Sequence, residues 1–180
     1  MSINIHTLIW LFPIAFMFHD FEEIIFWERW LKKHGAEVRQ RVPGFLQKQV
    51  STITEKSTAE TSFSILLIFS LTVLAAFLAG EYQMYGFFFL ASGAFFLHGF
   101  MHLGQAIILR KYVPATITSA LVIIPYGLVL YWRLINESIV TISGLFIYAL
   151  FAIILILPLI LIMHKVGGYL YEKVVKLLVV

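Results

Sequence analysis

Apolar residues run in five long blocks along the chain, at residues 7–27, 61–80, 85–109, 115–132 and 142–163, with polar residues gathered between them. At about 1.5 Å per helical residue, each block is long enough to cross about 30 Å of hydrocarbon. None alternates in the two-residue rhythm of a membrane-barrel strand. The predicted fold is all-α: a polytopic membrane bundle of five transmembrane helices, forming one integral membrane domain over residues 1–180. The one long polar segment, residues 28–60, is too short and too poor in large apolar side chains to build its own core. It is predicted to be an inner loop holding a surface helix, broken near Pro43-Gly44.

Lysine and arginine orient the bundle. With the N-terminus outside and the C-terminus inside, the inner segments hold all of the 13 Lys and Arg residues except Arg133. That is the positive-inside bias, and an odd number of spans is needed to produce it. The expected location is the cell (inner) membrane, multi-pass, with membrane lipids as partners. The net charge of +3 therefore reports topology and contact with anionic lipid. No basic stripe with stacking aromatics is present, so nucleic acid is not an expected partner. Trp27, Trp30 and Trp132 fall at predicted interfaces, where amphipathic rings settle. Pro114 suits the first turn of the fourth span, whereas Pro13, Pro125 and Pro158 lie inside spans and predict kinks or freed carbonyls.

At 61% hydrophobic residues and a mean hydropathy of +0.91, the chain exceeds the roughly 45–50% apolar content of an ordinary soluble domain. The absence of cysteine excludes disulfides, thiolate chemistry and cysteine-ligated zinc or iron–sulfur. No Lys or Arg precedes the first apolar block and no small-residue cleavage pattern follows it. The N-terminus thus does not read as a signal peptide, and the block is expected to be retained.

Within this apolar background stand ionisable groups. His19, Glu22 and Glu23 lie in the first block, and His98 and His102 in the third. Charged groups at such depth cost roughly 2.5–3.5 kcal/mol each on insertion scales and are kept chiefly where they function. On a helix His19, Glu22 and Glu23 share a face, as do His98, His102 and Gln105. The first and third spans run the same way, which places His19 and His98 level, about 18–20 Å down, with Glu23 and His102 one turn deeper.

Imidazole and carboxylate are common ligands of zinc, iron and manganese, and i, i+4 pairs suit a helix. The candidate ligands are His19, Glu23, His98 and His102, with Glu22 and Glu23 as candidate catalytic groups. Zinc is the expected metal, with iron or manganese as alternatives. A bound metal lowers the pKa of its water toward about 7, and the glutamate not used as a ligand then serves as general base. The expected reaction is hydrolysis of an amide or ester in a lipidic, membrane-embedded or small amphipathic substrate. Two alternatives stay open: a metal-free acid–base enzyme of the isomerase type, and a proton or metal-ion transporter. Asp20, Gln105, Arg110 and Tyr126 are the candidate pocket-lining residues; Tyr112, Thr116 and Ser119 suit either lining or packing. His6, His34 and His164 are expected at interfaces or in loops, and Gly93 and Gly99 where helices approach closely.

At His19-Asp20-Phe21-Glu22-Glu23 the chain resembles the HXXEE family of integral membrane proteins, known mostly from prokaryotes and named for that motif. The resemblance continues through His98-Gly99-Phe100-Met101-His102-Leu103-Gly104-Gln105 and Arg110-Lys111-Tyr112-Val113-Pro114, with Thr116 and Thr118 following. It implies a membrane location and a site at these residues, and brings no reaction with it.

Overall fold

Every apolar block folds as helix in the computed structural model, which describes residues 3–41 and 56–178, with Gly44 and Gln47 between them. The long helices among the described residues are α1 (Ile5–Arg41), α2 (Thr58–Tyr82), α3 (Tyr85–Leu109), α4 (Thr116–Asn136) and α5 (Ile142–Leu178); Gly44 and Gln47 are helical as well, and no strand occurs among the described residues. Helices α2, α3 and α4 are each long and apolar enough to cross a membrane. The two arms of α5, Ile142–Ile156 and Pro158–Leu178, supply a fourth such helix when joined across their 43° bend. α1 falls outside this set; His19, Asp20, Glu22 and Glu23 interrupt its apolar run.

Local chemistry explains the helix limits. Ser57 caps α2 by accepting from the Glu60 amide at 3.1 Å, in the Ser-x-x-Glu arrangement of a capping box. Gln83 and Arg110 end α2 and α3 in the left-handed region, at φ 57° and 54°. In α4 a π-helical turn spans Ser119–Ile123, directly before Pro125. The proline lacks the amide that the preceding turn would bond, and the wider turn accommodates the gap. Pro158 marks the bend in α5, while Pro13 is carried within α1.

The segment from residue 28 departs from expectation. The helix does not stop at Trp27 to be followed by a separate surface helix: α1 continues unbroken to Arg41. Glu28–Lys32 and Glu37–Arg41 ion pairs, 2.7 and 3.0 Å, join successive turns of this extension at i, i+4 spacing. Trp30 and Leu31 bury against Val113, with Val38, Ala106 and Leu109 alongside. The expected break at Pro43-Gly44 lies at the edge of the description, since Pro43 is outside the described residues. α5 likewise runs past Met163 to Leu178.

α2 packs against α1, α3 and α5, and α4 lies across α1 and α3. The main core gathers Leu8, Ile9, Phe12 and Phe16 of α1, Ala75, Ala76 and Ala79 of α2, Phe88 and Phe95 of α3, and Leu130 and Leu134 of α4. Phe12 meets Phe88 and Phe95 edge-on at 5.5 and 5.8 Å between ring centres, an arrangement favoured by the ring quadrupoles. Three small alanines on α2 let that helix come close, and the phenylalanines fill the space opposite. This aromatic seam joins α1 to α3 next to the polar cluster.

Candidate metal centre

One and two helical turns beyond Phe95, His98 and His102 project from α3 toward His19 on α1. The His19 ring centre lies 5.4 Å from that of His98 and 5.1 Å from that of His102, and the two α3 rings are 4.4 Å apart. His19 therefore stands between both α3 histidines instead of level with His98 alone. Each ring offers a nitrogen, and the three nitrogens lie within 4.8 Å of one another. His98 Nε2 and His102 Nε2 face each other at 2.9 Å. His19 is fully buried and His102 nearly so, and His19 Nε2 has no hydrogen-bond partner. Phe95 closes one side, edge-on to His19 at 5.5 Å.

Such a trio suits a divalent ion. Zinc–nitrogen bonds of about 2.0–2.1 Å put two imidazole nitrogens of a tetrahedral site about 3.3 Å apart. The His98 and His102 Nε2 atoms, at 2.9 Å, are somewhat closer than that, and the three nitrogens all lie within 4.8 Å. Three histidines leave a fourth position for water or substrate, as in catalytic zinc sites.

Glu22 plays a different part from the one its sequence position suggests. Its Oε1 accepts from the Tyr112 hydroxyl at 2.7 Å and from the Ile117 amide at 3.3 Å; its Oε2 accepts from the Thr118 amide at 2.7 Å and from the Thr118 hydroxyl at 2.6 Å. All of these partners are donors. The amides belong to the first turn of α4, whose own N-cap residue, Ala115 (φ 70°), has no side chain that can serve. Glu22 thus caps α4 from across the bundle, and its oxygens are committed to that task. The Thr118 hydroxyl also lies 3.2 Å from His19 Nδ1.

Glu23 is outside the trio. Its electrostatic neighbours are Glu22 and Asp20, and it takes no part in the hydrogen bonds to α4. Asp20 is buried, with Oδ2 lacking a partner. Gln105 and Arg110 are exposed and are not in the histidine group. Tyr126 donates to the Leu8 carbonyl at 2.9 Å and lines a separate narrow cavity with Ser92, Phe96 and Tyr131. Among the other histidines, His6 is surface-exposed against Glu81, as its position suggests. His164 differs from expectation: it lies within α5, with Nδ1 buried and unpartnered.

The α1 extension is tied to the end of α3 and to the loop between α3 and α4. Trp30 Nε1 donates to the Tyr112 carbonyl at 2.6 Å, Lys111 Nζ to Glu37 Oε2 at 2.7 Å, and Arg41 Nη1 to the Ile108 carbonyl at 3.2 Å. The Lys111 ammonium holds the Glu37 carboxyl below its ordinary range. Through these contacts the α1 extension fixes Tyr112, whose hydroxyl in turn reaches Glu22. Sequence reasoning did not single out Thr118 or Trp30 for these roles. Thr118 entered only through the segment that carried the family resemblance.

The family model described as "Protein of unknown function with HXXEE motif" matches residues 10–130, a range that contains every residue of this cluster. The chain belongs to the HXXEE family. Comparison with curated proteins and with solved structures gives no match.

Proposed function

We propose that this member of the HXXEE family is a five-span inner-membrane protein, N-terminus outside, whose His19, His98 and His102 bind one divalent metal ion, zinc first, iron or manganese in its place. The observation that carries the reading is the convergence of three imidazoles from two helices, His19 and His102 buried and His98 partly so, with His19 Nε2 left without any partner. A buried polar atom without a partner costs about 1–3 kcal/mol, and a shared cation relieves that cost for all three rings.

The activity this favours is hydrolysis of a lipidic or membrane-embedded amide or ester. Zinc held there supplies a Lewis acid and an activated water. The chain's own contribution is to orient the ligand rings, to exclude bulk water through Phe95 and the α3–α4 loop, and to accept a proton nearby. Glu22 is committed to capping α4, so the proton acceptor is assigned to Glu23, with Asp20 beside it. A second reading, transfer of protons or metal ions across the membrane, draws on the buried Asp20 and its neighbour Glu23, a carboxyl pair that hydrolysis does not require in full.

Elemental analysis of purified, detergent-solubilised protein tests the shared premise. About one zinc, iron or manganese per chain, lost in His98→Ala and His102→Ala while both variants stay helical, is the expected result. A folded wild-type protein that holds no metal after growth in metal-supplemented medium would refute it. Vesicle flux assays then separate transport from hydrolysis.

A further inference from the structure

The Thr118 hydroxyl stands between Glu22 Oε2, at 2.6 Å, and His19 Nδ1, at 3.2 Å. A hydroxyl has one proton to give. The shorter contact is to a carboxyl whose other partners, the Tyr112 hydroxyl and the Ile117 and Thr118 amides, all donate to it. The Ala115 carbonyl, at 3.4 Å, is the weaker acceptor, so the Thr118 proton goes to Glu22. The oxygen that faces His19 presents a lone pair, and Nδ1 must be the donor in that contact. A neutral imidazole carries one ring proton, so the lone pair of His19 is left on Nε2, the atom that lies buried without a partner.

We propose that Thr118 is a positioning residue: relayed from Glu22, its hydroxyl fixes His19 in the Nδ1–H tautomer and turns Nε2, as lone-pair donor, toward His98 and His102. Ligating histidines are commonly held in this way by an outer carboxylate, carbonyl or water; here a threonine is interposed. The same carboxyl caps α4 and so sets the place of Thr118. Position and tautomer of the ligand thus come from one residue on its own helix, three positions further on.

The consequence for metal affinity rests on the trio being a metal centre; the tautomer itself does not. Both are measured on full-length protein in micelles. In metal-free protein labelled with ¹⁵N-histidine, two-bond proton–nitrogen correlations should show His19, assigned by its loss in His19→Asn, protonated at Nδ1 in wild type and in Thr118→Ser. In Thr118→Val the Nε2–H form should gain population, while Glu22 still holds Tyr112 and the two amides and the helix content is unchanged. Wild-type His19 protonated at Nε2, or a tautomer insensitive to Thr118→Val, would overturn the proposal. Competition for Zn²⁺ with a chromophoric chelator should show affinity 10–100-fold weaker in Thr118→Val and recovered in Thr118→Ser, the range usual for loss of an outer-shell partner. Equal affinity in all three proteins overturns the positioning role. No zinc binding by wild type refutes the metal reading alone, and the tautomer measurement still decides the role of Thr118.

Discussion

Gly99 lies so close to Ile123 that a Cβ built on the glycine would stand 2.8 Å from the Ile123 Cγ2 methyl and 3.2 Å from its Cβ. Gly99 falls between the two α3 histidines, and Ile123 ends the π turn of α4. The missing side chain is what lets α4 lie against α3 at the level of the cluster. Ile123 is fully buried and β-branched, so it has little freedom to yield. Gly99→Ala should therefore lower stability by about 1–3 kcal/mol, the usual cost of overpacking, and weaken metal retention by shifting His98 and His102. Thermal unfolding in detergent and metal content read the two effects. A variant that matches wild type in both would show that the helices can separate freely here.

Removing the Glu22 carboxyl strands several donors at once. Glu22→Ala leaves the Tyr112 hydroxyl and the Ile117 and Thr118 amides without their acceptor, with an expected loss of about 2–4 kcal/mol. Glu22→Gln keeps one acceptor oxygen and should fall between Ala and wild type. Were Glu22 instead a catalytic base with no structural load, both variants would melt like wild type and differ only in activity.

Glu28 ties α1 to the start of α2. It accepts from Lys32 at 2.7 Å and from the Thr58 hydroxyl at 2.6 Å, and these bonds hold its carboxyl down to about 2, from 4.5. A folded-state value below the unfolded one means that the contribution is full above about pH 4.5 and is lost as pH falls through about 2. The side chain is exposed, so the effect is small. Wild type should outlast Glu28→Gln in melts at neutral pH, and the gap should close between pH 4.5 and 2. A gap that stays constant over that window would assign the stabilisation to something other than the ionised carboxyl.

The absence of cysteine makes orientation simple to map. Single cysteines at Asn136, at the exposed end of α4, and at Arg39 and Lys173, on the far ends of α1 and α5, should label from opposite sides in intact cells. An impermeant maleimide should reach Asn136→Cys from outside. It should reach Arg39→Cys and Lys173→Cys only after the membrane is opened. Labelling of all three from one side would overturn the proposed topology, in which α2, α3 and α4 all cross between Arg39 and Asn136 and α5 crosses once more.

The helices were legible because long apolar runs have few other outcomes, and the nearness of His19 to His98 and His102 because i, i+4 spacing survives folding; Glu23, read as a fourth ligand level with His102, lies outside that group. Other features depended on partners that spacing does not reveal. The α1 extension presents charges on the outside, and its buried seam of Trp30 and Leu31 needs Val113, far along the chain, to become visible. The role of Glu22 was hidden for the same reason. Depth marked the carboxyl as costly, but its donors sit 90–96 residues away and are brought to it only by the turn that starts α4. Gln105 shows the converse error. It continues the histidine stripe by arithmetic, yet α3 ends soon after it, and the side chain emerges into the open.

Ala115 has a further consequence, for the order of assembly. A helix that carries its own serine or aspartate cap can settle its first turn alone, as α2 does with Ser57. α4 has no such residue, and the acceptor for its first amides arrives on α1. Its opening turn is therefore completed only when α1 docks, in the same event that brings His19 to His98 and His102. An early intermediate with α1 undocked would hold neither an ordered start to α4 nor a closed trio.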